Sequence, residues 1–179
     1  MSAPLGAPSP LFDTYRDALR ESASRGPLVD LACGRGRHAL AAARMGVTTL
    51  ALDRKADFLG ELRTRAAEES LPLWPVKFDL EQEVPPPIAP ARCGAVLVFR
   101  YLHRPLAGEI AKLLAPGGWL LYETFTTAQL ELGTGPKNPA FLLEPGELPH
   151  LFEGLEIVSF DEARRDGEAT ARLAARRPA

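Results

Sequence analysis

The apolar positions of this chain fall into short dense runs, separated by longer stretches in which they recur every three or four residues. Residues 28–32, 47–52, 73–78, 95–100, 119–124 and 155–160 are such runs, bounded by Gly, Pro or charged clusters, and they read as strands. The stretches 12–24, 37–45, 55–70 and 105–114 carry helical spacing. In 55–70, Phe58, Leu59, Leu62 and Ala66 share one face. In 12–24, Phe12, Tyr15, Ala18 and Leu19 do so, with Ser9 or Asp13 as candidate caps. Gly46 closes the helix over 37–45, and Pro116-Gly117-Gly118 turns the chain before the fifth strand.

Three details refine the pattern. Pro75 lies inside the third strand, which assigns that strand to a sheet edge, where a missing N–H costs least. The link over 85–90 is rich in proline and holds little helix, whereas Pro145, with Glu144 and Glu147 nearby, opens a short helix to about residue 152. Asp166-Gly167 sits between the run at 155–160 and a last strand over 169–175, a hairpin signal. Alternating strands and helices predict an α/β fold: a doubly wound, mostly parallel seven-stranded sheet with a C-terminal antiparallel hairpin. With 179 residues, the chain suits one core. Residues 1–11, rich in Pro, Ala, Ser and Gly, are expected to be loose, and 12–179 to form a single domain.

Composition excludes more than it suggests. A net charge of −2 gives no electrostatic case for nucleic acid or an anionic membrane. Cys33 and Cys93 make neither a disulfide framework nor a metal site, and the three histidines are scattered, so no metal is expected. No apolar stretch reaches the roughly 18 residues of a membrane span, and nothing at the start of the chain reads as a leader, so a cytoplasmic location is expected.

The chemistry is concentrated in "LVDLACGRGRHALAAARMG", residues 28–46. The first strand ends on Asp30 and Ala32, a glycine turn follows, and a helix opens after Gly36. In an open parallel sheet, ligands bind at the carboxyl ends of the strands, and such a turn lets the backbone approach them closely. Gly34-x-Gly36-x-x-Ala39, followed by Asp53 at the end of the second strand, also fits a dinucleotide pattern. Asp30 separates the two ligand classes. A carboxylate here repels the phosphates of a dinucleotide but attracts the ammonium and sulfonium of S-adenosylmethionine (SAM).

Asp30-Leu-Ala-Cys-Gly34-Arg-Gly36 resembles the first signature of class I SAM-dependent methyltransferases. The resemblance covers about residues 12–178 and implies the class I methyltransferase fold. Within that family the chain looks most like the small bacterial enzymes of the tellurite-resistance type, which act on small molecules. The resemblance implies cofactor contacts from Asp30, Ala32, Cys33, Gly34 and Gly36 at the turn. It further implies ribose contacts from Asp53 with Arg54 beside it, adenine contacts from Asp79 and Leu80, and a rim contribution from Arg100. Tyr101, His103 and Glu123 are the candidates on the catalytic side, without an assigned base. Arg37 and His38 could reach the cofactor carboxylate, and Tyr15 could cover the cofactor.

Each has a plainer alternative. Asp53 also suits a helix cap, Asp79 suits any strand end, and Cys33 suits packing. Arg37, His38 and the arginines of "FRYLHRPL" suit a solvated helix start, and Tyr15 suits the core. Two positions depart from the family: Ala32 replaces the first glycine, and Gly94 stands where an acid often opens the fourth strand. No Asn-Pro-Pro-Tyr or Asp-Pro-Pro-Tyr follows the fourth strand, which argues against enzymes methylating exocyclic amines of DNA or glutamine; Asn138-Pro139 lies elsewhere.

The expected function is transfer of a methyl group from SAM to a small-molecule acceptor. The alternatives are a nicotinamide-dependent oxidoreductase, for which neither a substrate domain nor a Tyr/Lys pair is evident, and a non-catalytic SAM-binding module. The long connection over 126–144 is expected to wall the acceptor pocket opposite "RYLHR", the alternative being a surface insertion pinned by Phe141. The acceptor and the oligomeric state are not legible.

Overall fold

A computed structural model describes residues 5–179. Seven strands form one sheet: β1 (Leu28–Leu31), β2 (Thr49–Asp53), β3 (Leu73–Lys77), β4 (Cys93–Phe99), β5 (Leu114–Phe125), β6 (Glu156–Arg165) and β7 (Glu168–Arg176), in the order β3-β2-β1-β4-β5-β7-β6. The first five are parallel, and β7 runs antiparallel to both β5 and β6. This is the α/β class I methyltransferase fold. The order reverses between β1 and β4, so their carboxyl ends flank the crevice where such sheets bind ligands.

The helices are α1 (Pro10–Thr14), α2 (Arg16–Ser22), α3 (Arg37–Arg44), α4 (Ala56–Glu68), α5 (Ala107–Leu113) and α6 (Glu147–His150). Strand β4 is buried along its whole length and divides the core. Val96 and Val98 pack with Leu106, Ile110, Leu148 and Phe152 in one cluster. Ala95, Leu97 and Phe99 pack with Phe12 and Leu19 in another. A third cluster joins Ala39, Leu40 and Ala43 of α3 to Leu59 and Leu62 of α4.

Several boundaries differ from the sequence reading. The first helix is broken at Tyr15 into α1 and α2, and Ser9 caps α1 by accepting from Leu11 N–H. Ser9 and Leu11 are buried, although both fall in the segment expected to be loose, because Ser9 is tied to groups on α3 and β5. The turn Pro116-Gly117-Gly118 lies inside β5: Cys93 pairs with Leu114 and Ala95 with Trp119, so the intervening residues bulge out of the ladder. Strand β6 is longer than expected and mostly exposed; its partner β7, rather than burial, defines it. Pro75 does lie on an edge strand, and Asp166 and Gly167 both have positive φ, as a two-residue hairpin turn requires. A side chain at Gly94 would place Cβ 2.2 Å from the Ser22 carbonyl oxygen. The missing acid is therefore a packing requirement where α2 crosses β4.

Candidate active site

Three adjoining cavities open at the carboxyl ends of β1, β2, β4 and β5. The first, about 360 Å³, is bordered by Asp30, Cys33, Gly34, Arg37, His38 and Arg100. The second, about 160 Å³, is bordered by Ala32, Asp53, Arg54, Asp79, Leu80 and Tyr101. Ala32 borders both, so they meet over the end of β1. The third, about 290 Å³, shares Tyr101 with the second and Arg100 with the first.

The turn after β1 is held by acids. Asp53 accepts the Gly34 N–H on one carboxylate oxygen and the Lys55 N–H on the other, each at 2.8 Å. It therefore organises the glycine turn and the entry to α4 while bordering the cavity, and the cap and ligand roles coexist. Asp30 is buried and accepts the Ala39 N–H at 3.0 Å in the first turn of α3. Burial pushes its carboxyl up to about 7, with Asp53 adding to the rise and the Ala39 N–H and Arg37 opposing it. Such an acid is held short of a counter-charge, and a ligand cation beside it would be favoured. The same two acids oppose a pyrophosphate. The residues present thus fit the ammonium and sulfonium of SAM.

Gly36 borders neither of the first two cavities. It adopts φ +80°, and a Cβ there would lie 2.5 Å from the Leu62 side chain, so this glycine admits α4 against the turn. Ala32 occupies the same left-handed region at φ 54°, which explains why a glycine is usual at that position. Burial, with Asp30 and Asp53, drives the Cys33 thiol far above its ordinary range, so Cys33 is a packed thiol and not a thiolate.

His38 is also committed to structure. Its ring stacks on Phe99 at 3.7 Å, and its Nε2 accepts the Ser9 N–H at 3.0 Å. Burial, with Arg37 and Arg100, pulls it down to about 3, so it stays neutral. Tyr15 donates to Ser159 and rests against Trp119, away from these cavities.

The three catalytic-side candidates part company. Tyr101 lies where the second and third cavities join, and its buried Oη has no hydrogen-bond partner among the described residues. Burial, Glu81 and Asp79 raise its pKa well above the usual phenol value, so it is a neutral hydroxyl rather than a base. His103 borders a different groove, with Leu80, Pro85 and Pro105. Glu123 is buried; it accepts from Ser9 Oγ at 2.5 Å and pairs with Arg172 at 2.9 Å.

Two parts of the site were not visible in the sequence. Phe58, there assigned to a core-facing stripe, borders the first cavity, with Arg35 4.5 Å and Lys55 4.6 Å from its ring centre. Arg104 anchors the loop over 126–144. It donates to Glu147, to the Ala140 carbonyl at 3.0 Å and to the Leu142 carbonyl at 2.9 Å. The loop brings Pro136 and Phe141 to the third cavity, opposite Arg100, Tyr101 and Leu102. Among the described residues, no group of three or more His, Cys, Asp or Glu could hold a metal, and no helix is long and apolar enough to cross a membrane.

The fold is widely shared among solved structures. The chain superimposes on a SAM-dependent methyltransferase from Methanosarcina mazei with a TM-score of 0.74 at 15% identity, covering 97% of this chain and 99% of that one. TehB from Haemophilus influenzae matches at a TM-score of 0.67 and 16% identity over 90% of this chain, which spans only 62% of TehB. Geranyl diphosphate C-methyltransferase from Streptomyces coelicolor A3(2), solved with Mg2+, geranyl diphosphate and S-adenosyl-L-homocysteine, matches at 0.66 and 17% identity, over 92% of this chain and 77% of that one. No curated protein matches the chain in sequence. The family profile described as a methyltransferase domain matches residues 28–118, half of the chain, across the strand order reversal and the acid-held glycine turn. The chain therefore belongs to the class I SAM-dependent methyltransferase family, whose cofactor is S-adenosylmethionine.

Proposed function

We propose that the protein transfers the methyl group of SAM to a small-molecule acceptor seated in the third cavity. The single observation that carries this reading is the continuity of the cavities. Tyr101 borders both the space beside Asp53 and Asp79 and the space under the 126–144 loop. A recess of about 290 Å³, partly open to solvent, matches the size of a small molecule.

In this reading Asp53 accepts the ribose hydroxyls, with Arg54 beside it. Asp79 and Leu80 border the adenine, while Asp30 faces the ammonium and Arg37 the carboxylate of the amino-acid end. Ala32, Cys33 and Gly34 supply the floor between them, and Gly36 acts through the packing of α4. The bound cofactor supplies an electrophilic methyl group on a positive sulfur. The chain's own contribution is to hold the acceptor's nucleophilic atom in line and exclude water. Such positioning is worth roughly 7–11 kcal/mol, so an essential base is not required. Tyr101 borders the acceptor, whereas His103 and Glu123 are left with structural roles. Residues 12–179 act as one domain, to which the contacts of Ser9 add the preceding segment. The free thiols of Cys33 and Cys93 suit a reducing, cytoplasmic compartment.

Thermal unfolding with added ligands tests the reading. SAM or S-adenosylhomocysteine at a hundred times its dissociation constant should add about 2.7 kcal/mol, a rise of roughly 5–10 °C, and NAD none. Stabilisation by NAD alone would refute it, and turnover of an acceptor separates the enzyme from a binding module.

A further inference from the structure

The third cavity has a chemical character of its own. Its walls carry the rings of Tyr101, Phe125 and Phe141 together with Pro136. Its two charged residues are each matched. Arg100 pairs with Glu168 at 2.7 Å, its guanidinium 5.4 Å from the Phe125 ring centre, and Glu81 pairs with Arg54 at 3.6 Å. An anionic guest would have to compete with Glu168 for Arg100, and a cationic one with Arg54 for Glu81.

Phe141 is 49% exposed, unusual for so large an apolar side chain on a segment this well anchored. The next two residues, Leu142 and Leu143, are fully buried and satisfy the loop's own packing. Arg104 grips the carbonyls on both sides of Phe141, at Ala140 and Leu142, while Leu143 bridges to Thr126. The exposed ring is therefore held in place at the cavity rather than left at a loose tip. The Tyr101 hydroxyl has no hydrogen-bond partner among the described residues and is shielded beneath this lining, within the influence of Glu81 and Asp79.

We infer that this cavity binds a neutral, ring-bearing molecule, whose flat face the rings of Tyr101, Phe125 and Phe141 clasp. The acceptor belongs to that class, and not to the oxyanions, phosphate esters or amines that need a free counter-charge. The inference rests on the function proposed above. The size of the cavity fits one or two fused rings. Offset packing of such a guest on three aromatic walls supplies affinity without charge.

The test is calorimetry with three probes, in the presence and absence of S-adenosylhomocysteine: 2-naphthol, its shape-matched anion 2-naphthoate, and inorganic phosphate. We expect 2-naphthol to bind the loaded protein at least ten-fold more tightly than 2-naphthoate, and phosphate to show no binding. Phe141→Ala should weaken 2-naphthol at least ten-fold and leave the S-adenosylhomocysteine affinity unchanged, while Phe141→Tyr should restore it. Equal or tighter binding of 2-naphthoate or phosphate would overturn the inference, as would indifference to Phe141→Ala. Failure of S-adenosylhomocysteine to bind would instead overturn the functional reading, and the 2-naphthol isotherm of the unloaded protein would still decide the chemistry of the cavity.

Discussion

The proposed cofactor side and the proposed acceptor side of the crevice are built by opposite means. On the first, the carboxyl ends of β1 and β2 and the turn after β3 bring Asp30, Asp53 and Asp79 around a glycine backbone, an arrangement suited to electrostatic recognition. On the second, a loop returning from β5 is laid across aromatic rings, held by the distant guanidinium of Arg104 together with the burial of Leu142 and Leu143 and the bridge from Leu143 to Thr126. Local geometry fixes the first half, and tertiary contacts fix the second. Damage to the two halves should therefore differ in kind: lost affinity for cofactor in one, and lost order with cofactor affinity intact in the other.

The largest expected effect tests the electrostatic half. The Asp30 carboxyl sits at about 7 in the folded protein against 3.8 for the unperturbed group. Between those values the folded state holds a proton that the unfolded chain has released. The ligand-free protein thus loses stability as pH rises from about 4 to 7, and the loss is complete above 7. Asp30→Asn removes this penalty. It should raise the melting temperature above pH 7, flatten the pH profile below it, and weaken SAM a hundred-fold or more, on the order of 3 kcal/mol. In the unaltered protein a bound cation draws Asp30 toward its ionised form. SAM binding should then release a proton near pH 6 and tighten as pH rises to 7, which calorimetry in buffers of different ionisation enthalpy would register. PH-independent binding would place the ammonium elsewhere.

Asp53→Ala comes next. Loss of charge-assisted hydrogen bonds worth about 1.5–3 kcal/mol should weaken SAM roughly ten- to a hundred-fold. The Gly34 and Lys55 N–H groups also lose their acceptor. Asp53→Asn, which keeps one amide oxygen, should recover part of the stability but little of the affinity. Affinity recovered in step with stability in Asp53→Asn would make the residue only a clamp on the turn.

Arg104→Ala probes the other half. Hydrogen exchange across residues 139–143 should rise about ten-fold or more, and S-adenosylhomocysteine affinity should stay as it was. Exchange left unchanged would mean that Leu142 and Leu143 hold the loop by packing alone. The smallest effect belongs to Ala32→Gly. Relief of a left-handed alanine, offset by the greater freedom of glycine when unfolded, should stabilise the protein by about 0.5–1 kcal/mol, or roughly 2 °C.

The same division decides what could be read from the sequence. Strand runs, the edge position of Pro75 and the Asp166-Gly167 hairpin are local signals, and they correspond to the observed elements. The residues expected around the cofactor gather at two adjoining cavities because each lies at or within a few residues of a strand's carboxyl end; Gly36 is set apart because α4 packs on it. Strand ends alone could not say which way side chains point. Adjacent strand residues face opposite sides, so Thr124 borders the third cavity while Glu123 turns to Ser9 and Arg172. Past the end of β4 that alternation lapses, and Tyr101 borders the third cavity while His103 borders a separate groove. The loop was expected to wall a pocket, but Arg104 looked like one more solvated arginine, since no spacing announces a guanidinium that grips carbonyls 36 and 38 residues away.

The contact between Ser9 and Glu123 spans 114 residues of chain, and it sets an order in time. Leu5, just ahead of Ser9, borders the cavity beside Asp30. A ribosome delivers this segment ahead of the sheet, yet its anchor on β5 emerges only after all four preceding strands. At the roughly 5–20 residues per second of synthesis, the segment waits several seconds or more for its partner. Leu5 and Ser9 thus complete the cavity beside Asp30 late, only after the central sheet has formed.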